Sequence, residues 1–538
     1  MRKALLLFAA FALSICAWAQ WPSSTDKAVQ ISLPGQSDYG CQTAFSPDGV
    51  TYVVKIVPQR PGEAGLTVLS YRLYALDKDG VLLSPAEGYD IATENNKSWT
   101  AVNSQLYVDK DGNAIVMCCD SRNAREYSDE QGYTIYKVNP KGEVIWKADL
   151  DKGNVYYLPV SINCVEDTDG NYLFAYTPYT TIETNAVPPL LLEKLDKNTG
   201  ATIWTRKMEH ETRPYAYPHL VASNNNQSLL FYLYTSNQYV YAKMLDKDGN
   251  DVWDSDARVY RGGFGSIPAH VTIKSFEGPD GGGLFTWRDD RNYEDVYASY
   301  ASYIKADGSY GFPGETDALK VCYDDFQSRN SADIAWSEQH NCFYAALQIF
   351  NQAYQNYQGL YVQKISKEGE LLWGPNGLAL EPLEEQSIYN DPIVRIDNEG
   401  NPVVFYMKTT DIYTYQTNDI QQCAVKLDKD GNKLFSEEVT FDTHKSYKTS
   451  LAVSQLIDNK YWVVAWSDNR FGEMDYGSNN MMATRFNVDG TIGDPESGIH
   501  AIEAGATSDD AYFDLSGRRV SQPSKGIYIR NGCKTVVR

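Results

Sequence analysis

Two histidines and two aspartates are spread along the chain, at His219, His270, Asp333 and Asp391. Imidazole and carboxylate groups are common metal ligands, and they also act as general bases and acids in catalysis. A fold that brings these side chains together would create a candidate metal or catalytic site. The four residues are far apart in sequence, so only the tertiary fold can bring their side chains together.

A second set of candidate residues consists of tyrosines in two polar stretches. Tyr354 and Tyr357 lie in NQAYQNY, and Tyr413 and Tyr415 lie in TDIYTY. The chain carries 40 Tyr against 18 Phe, which indicates amphipathic aromatic surface more than dry core. Exposed tyrosine rings suit stacking on a sugar or anchoring a protein partner. The alternative interpretation is a polar loop without any ligand.

The elements that must position these residues form a repeat. Each copy has an apolar run, a turn rich in Asp, Asn and Lys that ends in Gly, and in most copies an aromatic residue four positions later. The turn glycines are Gly80, Gly142, Gly200, Gly249, Gly308, Gly369, Gly431 and Gly490. The aromatic residues are Trp146, Trp204, Trp253, Phe312, Trp373 and Phe435. Only the first and last copies depart from the rule, with Ser84 and Asp494.

The second copy indicates what each repeat folds into. Short segments of alternating apolar and polar residues, rich in β-branched and aromatic side chains, are separated by turns at Gly112 and Gly142. This pattern predicts four antiparallel strands joined by hairpins, without a helix. Such units repeated radially predict an all-β, eight-bladed β-propeller of four-stranded antiparallel blades. A short C-terminal β tail is expected after the ring.

The sequence divides into five predicted segments. They are a signal peptide (1–19), a lead-in with a strand that could close the ring (20–37), the eight-bladed propeller (38–499), a linker (500–511) and a C-terminal tail (512–538). The eighth copy has a weak fourth strand, and the AVQISL segment of the lead-in could supply or flank it. Closure matters because an open ring leaves sheet edges unpaired.

The N-terminus has the features of a processing segment. Arg2 and Lys3 precede an apolar run, and Ala17-Trp-Ala19 offers a cleavage site. The run is too short to span a bilayer, so the sequence predicts export without a transmembrane segment, with lipidation at Cys16 as the alternative. The net charge of −22 argues against binding nucleic acid or anionic lipid through charge.

Two recurring patterns have structural explanations. Asp-x-Asp-Gly-Asn turns begin at Asp109, Asp246 and Asp428, and they resemble the start of a calcium loop without its remaining ligands. A Trp-x-Asp-x-Arg unit begins at Trp287 and again at Trp466, and its recurrence favours repeated ion pairs over a ligand site. We therefore expect no cofactor and no metal site, with calcium as the one ion left open.

The turn of the third copy carries a family resemblance. Asp196, Thr199, Gly200 and Trp204 resemble the docking motif of quinoprotein-type (PQQ-like) eight-bladed propellers. The resemblance implies that the aromatic residue of one blade packs on the next blade. It does not extend to the quinone cofactor, because no vicinal cysteine pair beside a catalytic aspartate matches.

The tail resembles the C-terminal sorting signal of type IX secretion substrates. The residues that carry this resemblance are Asp514, Leu515, Gly517, Arg518, Gly526, Ile527 and Tyr528. The resemblance implies that secretion machinery recognises the tail and that the protein crosses the outer membrane, to be released or anchored at the surface. Without that recognition, the protein would stay in the periplasm.

These observations lead to three functional hypotheses. The first is an exported, non-catalytic propeller at the cell surface that binds a glycan or a surface protein through its tyrosine loops. The second is a propeller glycosidase or lyase that uses the His and Asp residues at the mouth of the channel, where innermost strands begin. As an alternative, the side chains at the mouth of the channel could be polar only because they contact water. The third is a structural component of a surface complex. The sequence contains no catalytic signature, which favours the first hypothesis.

Overall fold

We analysed a computed structural model of the full chain. It describes residues 21–32, 41–61, 67–92, 105–120, 132–150, 162–177, 187, 189–234, 240–259, 273–289, 297–312, 318–322, 327–328, 330–351, 353–354, 356–388, 392–409, 419–471, 480–494, 512–514, 519–520, 523–530 and 533–537. The chain divides into two compact units, Met1–Gly493 and Asp494–Arg538. The first unit contains the repeats and the second contains the tail.

Antiparallel strands form the blades of the first unit. Strand β1 (Val29–Gln30) precedes them. Blade one comprises β2 (Gln42–Phe45), β3 (Thr51–Pro61), β4 (Thr67–Leu76) and β5 (Tyr89–Ala92), and blade two comprises β6 (Gln105–Val108), β7 (Ala114–Asp120), β8 (Gly132–Val138) and β9 (Val144–Asp149). Blade three comprises β10 (Ile162–Glu166), β11 (Tyr172–Tyr176), β12 (Leu190–Leu195) and β13 (Thr202–Met208), and blade four comprises β14 (Tyr215–Ala222), β15 (Ser228–Tyr234), β16 (Val240–Leu245) and β17 (Ala257–Arg258).

The later blades repeat this order, with a divided first strand in blades six and seven. Blade five comprises β18 (Lys274–Glu277), β19 (Gly283–Asp289), β20 (Ala298–Ile304) and β21 (Leu319–Lys320), and blade six comprises β22 (Gln327–Ser328), β23 (Asp333–Ser337), β24 (Cys342–Phe350), β25 (Tyr357–Ser366) and β26 (Leu378–Glu385). Blade seven comprises β27 (Ser387–Ile388), β28 (Ile393–Ile396), β29 (Pro402–Thr409), β30 (Gln421–Lys426) and β31 (Val439–Asp442), and blade eight comprises β32 (Lys448–Val453), β33 (Tyr461–Asp468), β34 (Asn480–Asn487) and β1.

The predicted all-β, eight-bladed propeller of four-stranded antiparallel blades is confirmed. Among the described residues, the helical content is a single 3₁₀ turn at Pro279–Gly281. The first strand of each blade is the innermost strand, next to the channel, and the fourth lies outermost. This order follows from hairpins that run outward one strand at a time.

Each blade packs face to face against its neighbours. We call the contact between two neighbouring blades a seam and name it by the blade numbers, so that seam 1/2 lies between blades one and two. Each of the eight seams holds its own cluster of buried apolar side chains. The propeller therefore has a ring of small cores and no single central core.

Aspartate side chains shape the tight turns between strands. Between β6 and β7, Asp109 Oδ1 accepts the backbone N–H of Asn113 at 2.7 Å. Gly112 completes this turn with a φ of 79°, which a residue without a Cβ adopts readily. The turns that begin at Asp246 and Asp428 repeat the same side-chain cap. These carboxylates therefore serve as turn caps, which accounts for the Asp-x-Asp-Gly-Asn pattern.

The N-terminal segment completes the eighth blade. Strand β1 pairs antiparallel with β34, with Val29 opposite Ala483 and Gln30 opposite Met482. Residues from opposite ends of the propeller sequence therefore share one sheet. This pairing covers part of the β34 edge that would otherwise be open.

Trp21 supplies the docking aromatic residue that the eighth copy lacks. Its indole N–H donates to the backbone oxygen of Lys78 at 2.8 Å, and a Cβ on Gly80 would lie 3.1 Å from its ring. Trp146 docks on blade three in the same way, because its indole N–H donates to the backbone oxygen of Lys197 at 2.9 Å. The docking contact of the closing seam 8/1 thus comes from the first described residue of the chain.

The aromatic residues predicted for the other blades also contact the following blade. The ring-to-glycine contacts are Trp146 on Gly200, Trp204 on Gly249, Trp253 on Gly308, Trp373 on Gly431 and Phe435 on Gly490. Phe312 packs edge-on against Phe343 of blade six, with ring centres 5.5 Å apart. In blade one, Tyr89 takes the place that Ser84 cannot fill, and it lies on Gly142.

The second unit is a small antiparallel sheet. Its strands are β35 (Tyr512–Phe513), β36 (Arg519–Val520), β37 (Gly526–Arg530) and β38 (Cys533–Val537), in the order β36-β35-β37-β38. The rings of Tyr512 and Tyr528 meet edge to face with centres 6.0 Å apart. Of the residues that carry the sorting-signal resemblance, Asp514, Gly526, Ile527 and Tyr528 are described, whereas Leu515, Gly517 and Arg518 lie outside the described residues.

Candidate functional site

His219 lies on the innermost strand of blade four, beside an irregularity in the pairing of β14 with β15. Its Nδ1 is 3.2 Å from the hydroxyl oxygen of Ser275 on β18, and its ring meets Phe285 edge to face at 6.0 Å. Burial lowers the pKa of His219 to about 4. The imidazole is therefore neutral near pH 7 and bonds across seam 4/5.

Asp333 begins the innermost strand β23 of blade six. Its Oδ1 accepts the backbone N–H of Val394 at 2.9 Å and lies 3.6 Å from Nη1 of Arg395 in blade seven. Its Oδ2 lies 3.9 Å from Nζ of Lys274 in blade five. The carboxylate thus bridges three consecutive blades, which is a structural role. His270 and Asp391, the other two candidates for chemistry, lie outside the described residues.

The contacts of His219 and Asp333 belong to a longer series of polar links between innermost strands. In seam 3/4, Asn163 Oδ1 accepts the backbone N–H of Leu220 at 2.9 Å. In seam 7/8, Arg395 Nη2 donates to the backbone oxygen of Val453 at 2.8 Å. Polar links therefore join the channel walls of blades three to eight. This arrangement explains why polar residues recur near the starts of these strands.

The loop between β24 and β25 presents two tyrosines to solvent. Tyr354 is 65% exposed and Tyr357 is 38% exposed, and their ring centres are 5.9 Å apart at 52°. We call the described residues between 351 and 357, namely 351, 353, 354, 356 and 357, the rim loop. It lies at the same end of the blade as the start of β23, because the strands of the hairpin are antiparallel. Tyr413 and Tyr415 lie outside the described residues.

Hydrogen bonds fix the shape of the rim loop. Asn351 Oδ1 accepts the backbone N–H groups of Ala353 at 2.8 Å and Tyr354 at 3.1 Å. The backbone N–H of Tyr357 donates to the oxygen of Tyr354 at 2.9 Å. Asn356 reaches the outermost strand, where its Nδ2 donates to Glu385 Oε1 at 2.9 Å. The aromatic pair is therefore held in place before any ligand arrives.

Seam 6/7 contains a cluster of four titratable side chains. The hydroxyl of Tyr406 donates to Glu381 Oε1 at 2.8 Å and also contacts Glu438. Nζ of Lys408 lies 2.9 Å from Glu381 Oε1 and 2.8 Å from Glu438 Oε1. Burial and the hydrogen bond with Glu438 raise the pKa of Glu381. Although burial opposes it, hydrogen bonds from Glu381, Lys408 and Tyr406 lower the pKa of Glu438 to about 2.

Seam 3/4 contains a related cluster with a different charge balance. The hydroxyl of Tyr232 donates to Asp256. Nζ of Lys243 lies 2.6 Å from Asp251 and 2.6 Å from Asp256. Arg206 of blade three approaches Asp251 at 2.6 Å. Among the residues that the structure describes, two cations therefore face two carboxylates in this cluster, whereas one cation faces two in seam 6/7.

The two clusters occupy equivalent places in their blades. Tyr232 and Tyr406 are each the fifth residue of the second strand, and Asp256 and Glu438 each directly precede the fourth strand. Repetition favours a structural role, in which the carboxylate satisfies the hydroxyl of a buried tyrosine. Neither cluster was predicted from the sequence, although a tyrosine in the second strand and an acidic residue before the fourth were available as signals.

The Trp-x-Asp-x-Arg unit of blade eight forms a buried charge network in seam 7/8. Asp468 Oδ2 accepts the indole N–H of Trp466 at 2.9 Å and lies 2.6 Å from Arg470 Nη2. The same nitrogen lies 2.8 Å from Asp442, which also pairs with Lys448 at 3.2 Å. Two cations balance two carboxylates here, so the network fits the structural explanation of this sequence pattern.

Among the residues that the structure describes, no group of three or more His, Cys, Asp or Glu side chains is arranged to hold a metal ion. The described part of the chain likewise contains no helix that is both long and apolar enough to cross a membrane. The class of architecture is the eight-bladed β-propeller, with an aromatic pair exposed at the rim of blade six.

No protein-family model matches this chain, and no curated protein matches it. Among solved structures, the chain is similar to an ulvan lyase, with 9% identity and a TM-score of 0.43 over 89% of this chain and 98% of that chain. It is similar to the β-propeller domain of the trilobed protease from Pyrococcus furiosus, with 9% identity and a TM-score of 0.36 over 78% of this chain and 98% of that chain.

The acylaminoacyl peptidase of Pyrococcus horikoshii is a third similar structure, with 9% identity and a TM-score of 0.39 over 84% of this chain and 59% of that chain. The three proteins have different activities, so likeness at this level carries no conclusion about function. The fold assignment rests on the blades themselves, and the function has to be argued from the site.

Proposed function

We propose that this protein is an exported, non-catalytic propeller at the cell surface that binds a glycan through the rim loop of blade six. The observation that carries this proposal is the pair of exposed rings of Tyr354 and Tyr357, with centres 5.9 Å apart. Flat tyrosine faces stack on the apolar faces of sugar rings, and their hydroxyl groups hydrogen-bond to sugar hydroxyls.

The fixed shape of the rim loop supports binding. A ligand that meets a preorganised platform loses less free energy to the ordering of protein side chains. Here Asn351 caps the loop and Asn356 ties it to Glu385. Carboxylate oxygens beside the rings add acceptors for sugar hydroxyl groups, and Glu384 and Glu385 are both exposed on β26.

A surface protein is the second ligand class for the same platform, because tyrosines also anchor protein interfaces. The glycosidase or lyase hypothesis draws less support from the described residues. His219 bonds across seam 4/5 and Asp333 bridges three blades, so neither side chain is free for a substrate. A purely structural role in a surface complex would use the rim as an interface without a soluble ligand.

Export is the other half of the proposal. It rests on the N-terminal processing pattern and on the tail that resembles a type IX sorting signal. The docking of five of the six predicted aromatic residues on the next turn glycine also supports kinship with quinoprotein-type repeats. Removal of residues 512–538 should retain the protein inside the outer membrane, and surface accessibility to added protease measures this. A truncated protein that still reached the surface would contradict the sorting role.

The binding proposal is tested by a glycan array and a hydrolysis screen on the full chain. Tyr354→Ala and Tyr357→Ala should each weaken glycan binding by tenfold or more, about 1.4 kcal/mol. Tyr354→Phe should retain part of the binding, because the ring stays. Phe471→Ala is the matched control, since Phe471 is 53% exposed in blade eight and should have no effect.

Three results would change this conclusion. Turnover of any glycan by the wild-type protein would show an enzyme. An equal loss of glycan binding in Phe471→Ala would show that the array reports non-specific binding to exposed aromatic side chains. Silence on the array together with capture of a surface protein that depends on Tyr354 would move the ligand class from glycan to protein.

A further inference from the structure

An open groove lies in seam 4/5, between the outermost strand of blade four with its preceding segment and the turn that follows β20 in blade five. Its volume is about 800 Å³, which is within the usual range for small-molecule sites. One wall is the segment Val252–Arg258 in blade four. The opposite wall consists of Asp307, Gly308 and Tyr310 in blade five. We call it the seam 4/5 groove, and no hypothesis above makes use of it.

Cross-seam contacts hold the two walls of the groove together. The indole N–H of Trp253 donates to the backbone oxygen of Ala306 at 2.9 Å, and its ring lies on Gly308. The hydroxyl of Tyr310 donates to the backbone oxygen of Arg258. Both aromatic residues line the groove and are partly exposed. The groove is therefore preformed and offers two aromatic side chains to a ligand.

Carboxylates from both walls border these rings. Asp254 is exposed and makes no hydrogen bond or ion pair with any residue that the structure describes. Asp307 is exposed on the opposite wall, where its Oδ1 accepts the hydroxyl of Ser309 at 2.6 Å. That hydrogen bond and the one from the Ser309 backbone lower the pKa of Asp307. Asp307 is therefore ionised at neutral pH.

Two of the cations near the groove are directed elsewhere, whereas Lys305 is close enough to Asp307 to help lower its pKa. The guanidinium of Arg258 lies 5.7 Å from the ring centre of Tyr241, which packs against the core of seam 3/4. Lys243 pairs with Asp251 and Asp256 at 2.6 Å each, so it is committed to the seam 3/4 cluster. The charges of Asp254 and Asp307 thus have no cationic partner among the described residues of the groove walls.

We propose that the seam 4/5 groove binds an alkylammonium or guanidinium group on an extended chain. A cation gains from the faces of Trp and Tyr rings, and it also gains from carboxylates on both walls of one cleft. The negative net charge of the protein adds a long-range attraction for such ligands. The cation-bearing chain is either the side chains of a basic peptide or a free polyamine. This proposal is independent of the rim loop and of its glycan.

The test measures binding of two probes, hexalysine and spermidine, to the full-length protein by calorimetry at low and at moderate salt. Asp254→Asn and Asp307→Asn should each weaken binding about tenfold, and the double variant should weaken it further. Neither change removes a contact that holds the groove walls together. Asp430→Asn is the matched control, because Asp430 holds the same place before its turn glycine in blade seven.

Each outcome bears on the proposal. Hexalysine binding that depends on Asp254 and Asp307, with spermidine silent, supports the groove and identifies a basic peptide as the source. Equal binding of both probes supports the groove with a free amine as sufficient ligand. If Asp430→Asn weakens binding as much as the groove variants do, the effect comes from the net charge of the protein and the proposal is overturned. The absence of binding for both probes would also overturn it. If a neutral oligosaccharide competes with hexalysine for the groove, the assignment of a cationic ligand is overturned.

Discussion

In seam 3/4, Lys243 and Arg206 balance the two carboxylates that surround a buried tyrosine. In seam 6/7, Lys408 is the one cation among the described residues that faces Glu381 and Glu438 around the equivalent tyrosine. The repeat thus preserves the tyrosine and its carboxylate but not the charge balance. Equivalent positions in two blades can therefore differ in charge balance. The carboxylates around the tyrosine are balanced by cations in seam 3/4, whereas one carboxylate has no cation of its own among the described residues of seam 6/7.

The largest expected effect is the difference in stability loss between replacing Lys408 and replacing Lys243. Lys408→Met removes the one cation that pairs with these two carboxylates in the described part of the chain, so it should lower the free energy of unfolding by about 3 kcal/mol. Lys243→Met should cost about 1.5 kcal/mol, because Arg206 still pairs with Asp251. Denaturant unfolding at pH 7 measures both. Equal costs would mean that the count of cations does not distinguish the seams.

The tyrosine hydroxyl is the feature that both seams share. Tyr406→Phe and Tyr232→Phe should each lower the free energy of unfolding by about 1 to 1.5 kcal/mol, because a buried carboxylate loses a donor. The rings themselves stay in the seam cores. Unfolding at pH 7 should therefore give similar values for the two variants. A cost confined to one of them would break the proposed equivalence of the two positions.

Neutralising one carboxylate should have opposite signs in the two seams. Glu381→Gln should raise stability at pH 7 by about 1 kcal/mol, because it replaces a carboxylate that repels Glu438 with an amide that can donate to it. Asp251→Asn should lower stability by about 0.5 kcal/mol, a small value because Asp251 is 35% exposed and screened by water. Thermal unfolding of both variants at pH 7 provides the comparison. Two changes of the same sign would contradict it.

The smallest expected effect is the pH dependence of the stability difference between Glu381→Gln and the wild type. The pKa of Glu381 is raised in the folded protein, so its favourable contribution is complete below the unfolded value of about 4.3 and is lost as pH rises through the folded value. The variant and the wild type should therefore be equally stable near pH 4 and diverge above it. A constant difference across this range would show that repulsion with Glu438 is not the cause.

Sequence periodicity was sufficient for the fold. The turn glycines and the alternation of the strands predict four-stranded blades and their number, because a blade is built from consecutive hairpins. The exposure of Tyr354 and Tyr357 also follows the polar composition of their loop. Each of these features depends on residues close together in sequence, which is why a single sequence reveals them.

The docking of an aromatic residue on the next blade was predicted, but other contacts between blades could not be predicted in the same way. Position 494 lacks an aromatic residue, and nothing in the local sequence indicates that Trp21 docks on Gly80 in its place. The cluster around Tyr406 joins side chains of two blades. His219 and Asp333 were predicted as candidates for chemistry, and only their neighbours show that they link the channel walls.

The sequence by itself therefore determined the blades, their order and their turns, since hydrogen bonds between adjacent strands form within each repeat. Tertiary structure decided which side chains meet in each seam, where the ring closes and which acids are left without a cation. The physical reason is that a seam brings together faces of two separate blades, and the charge and shape on one face are not encoded in the periodicity of the other.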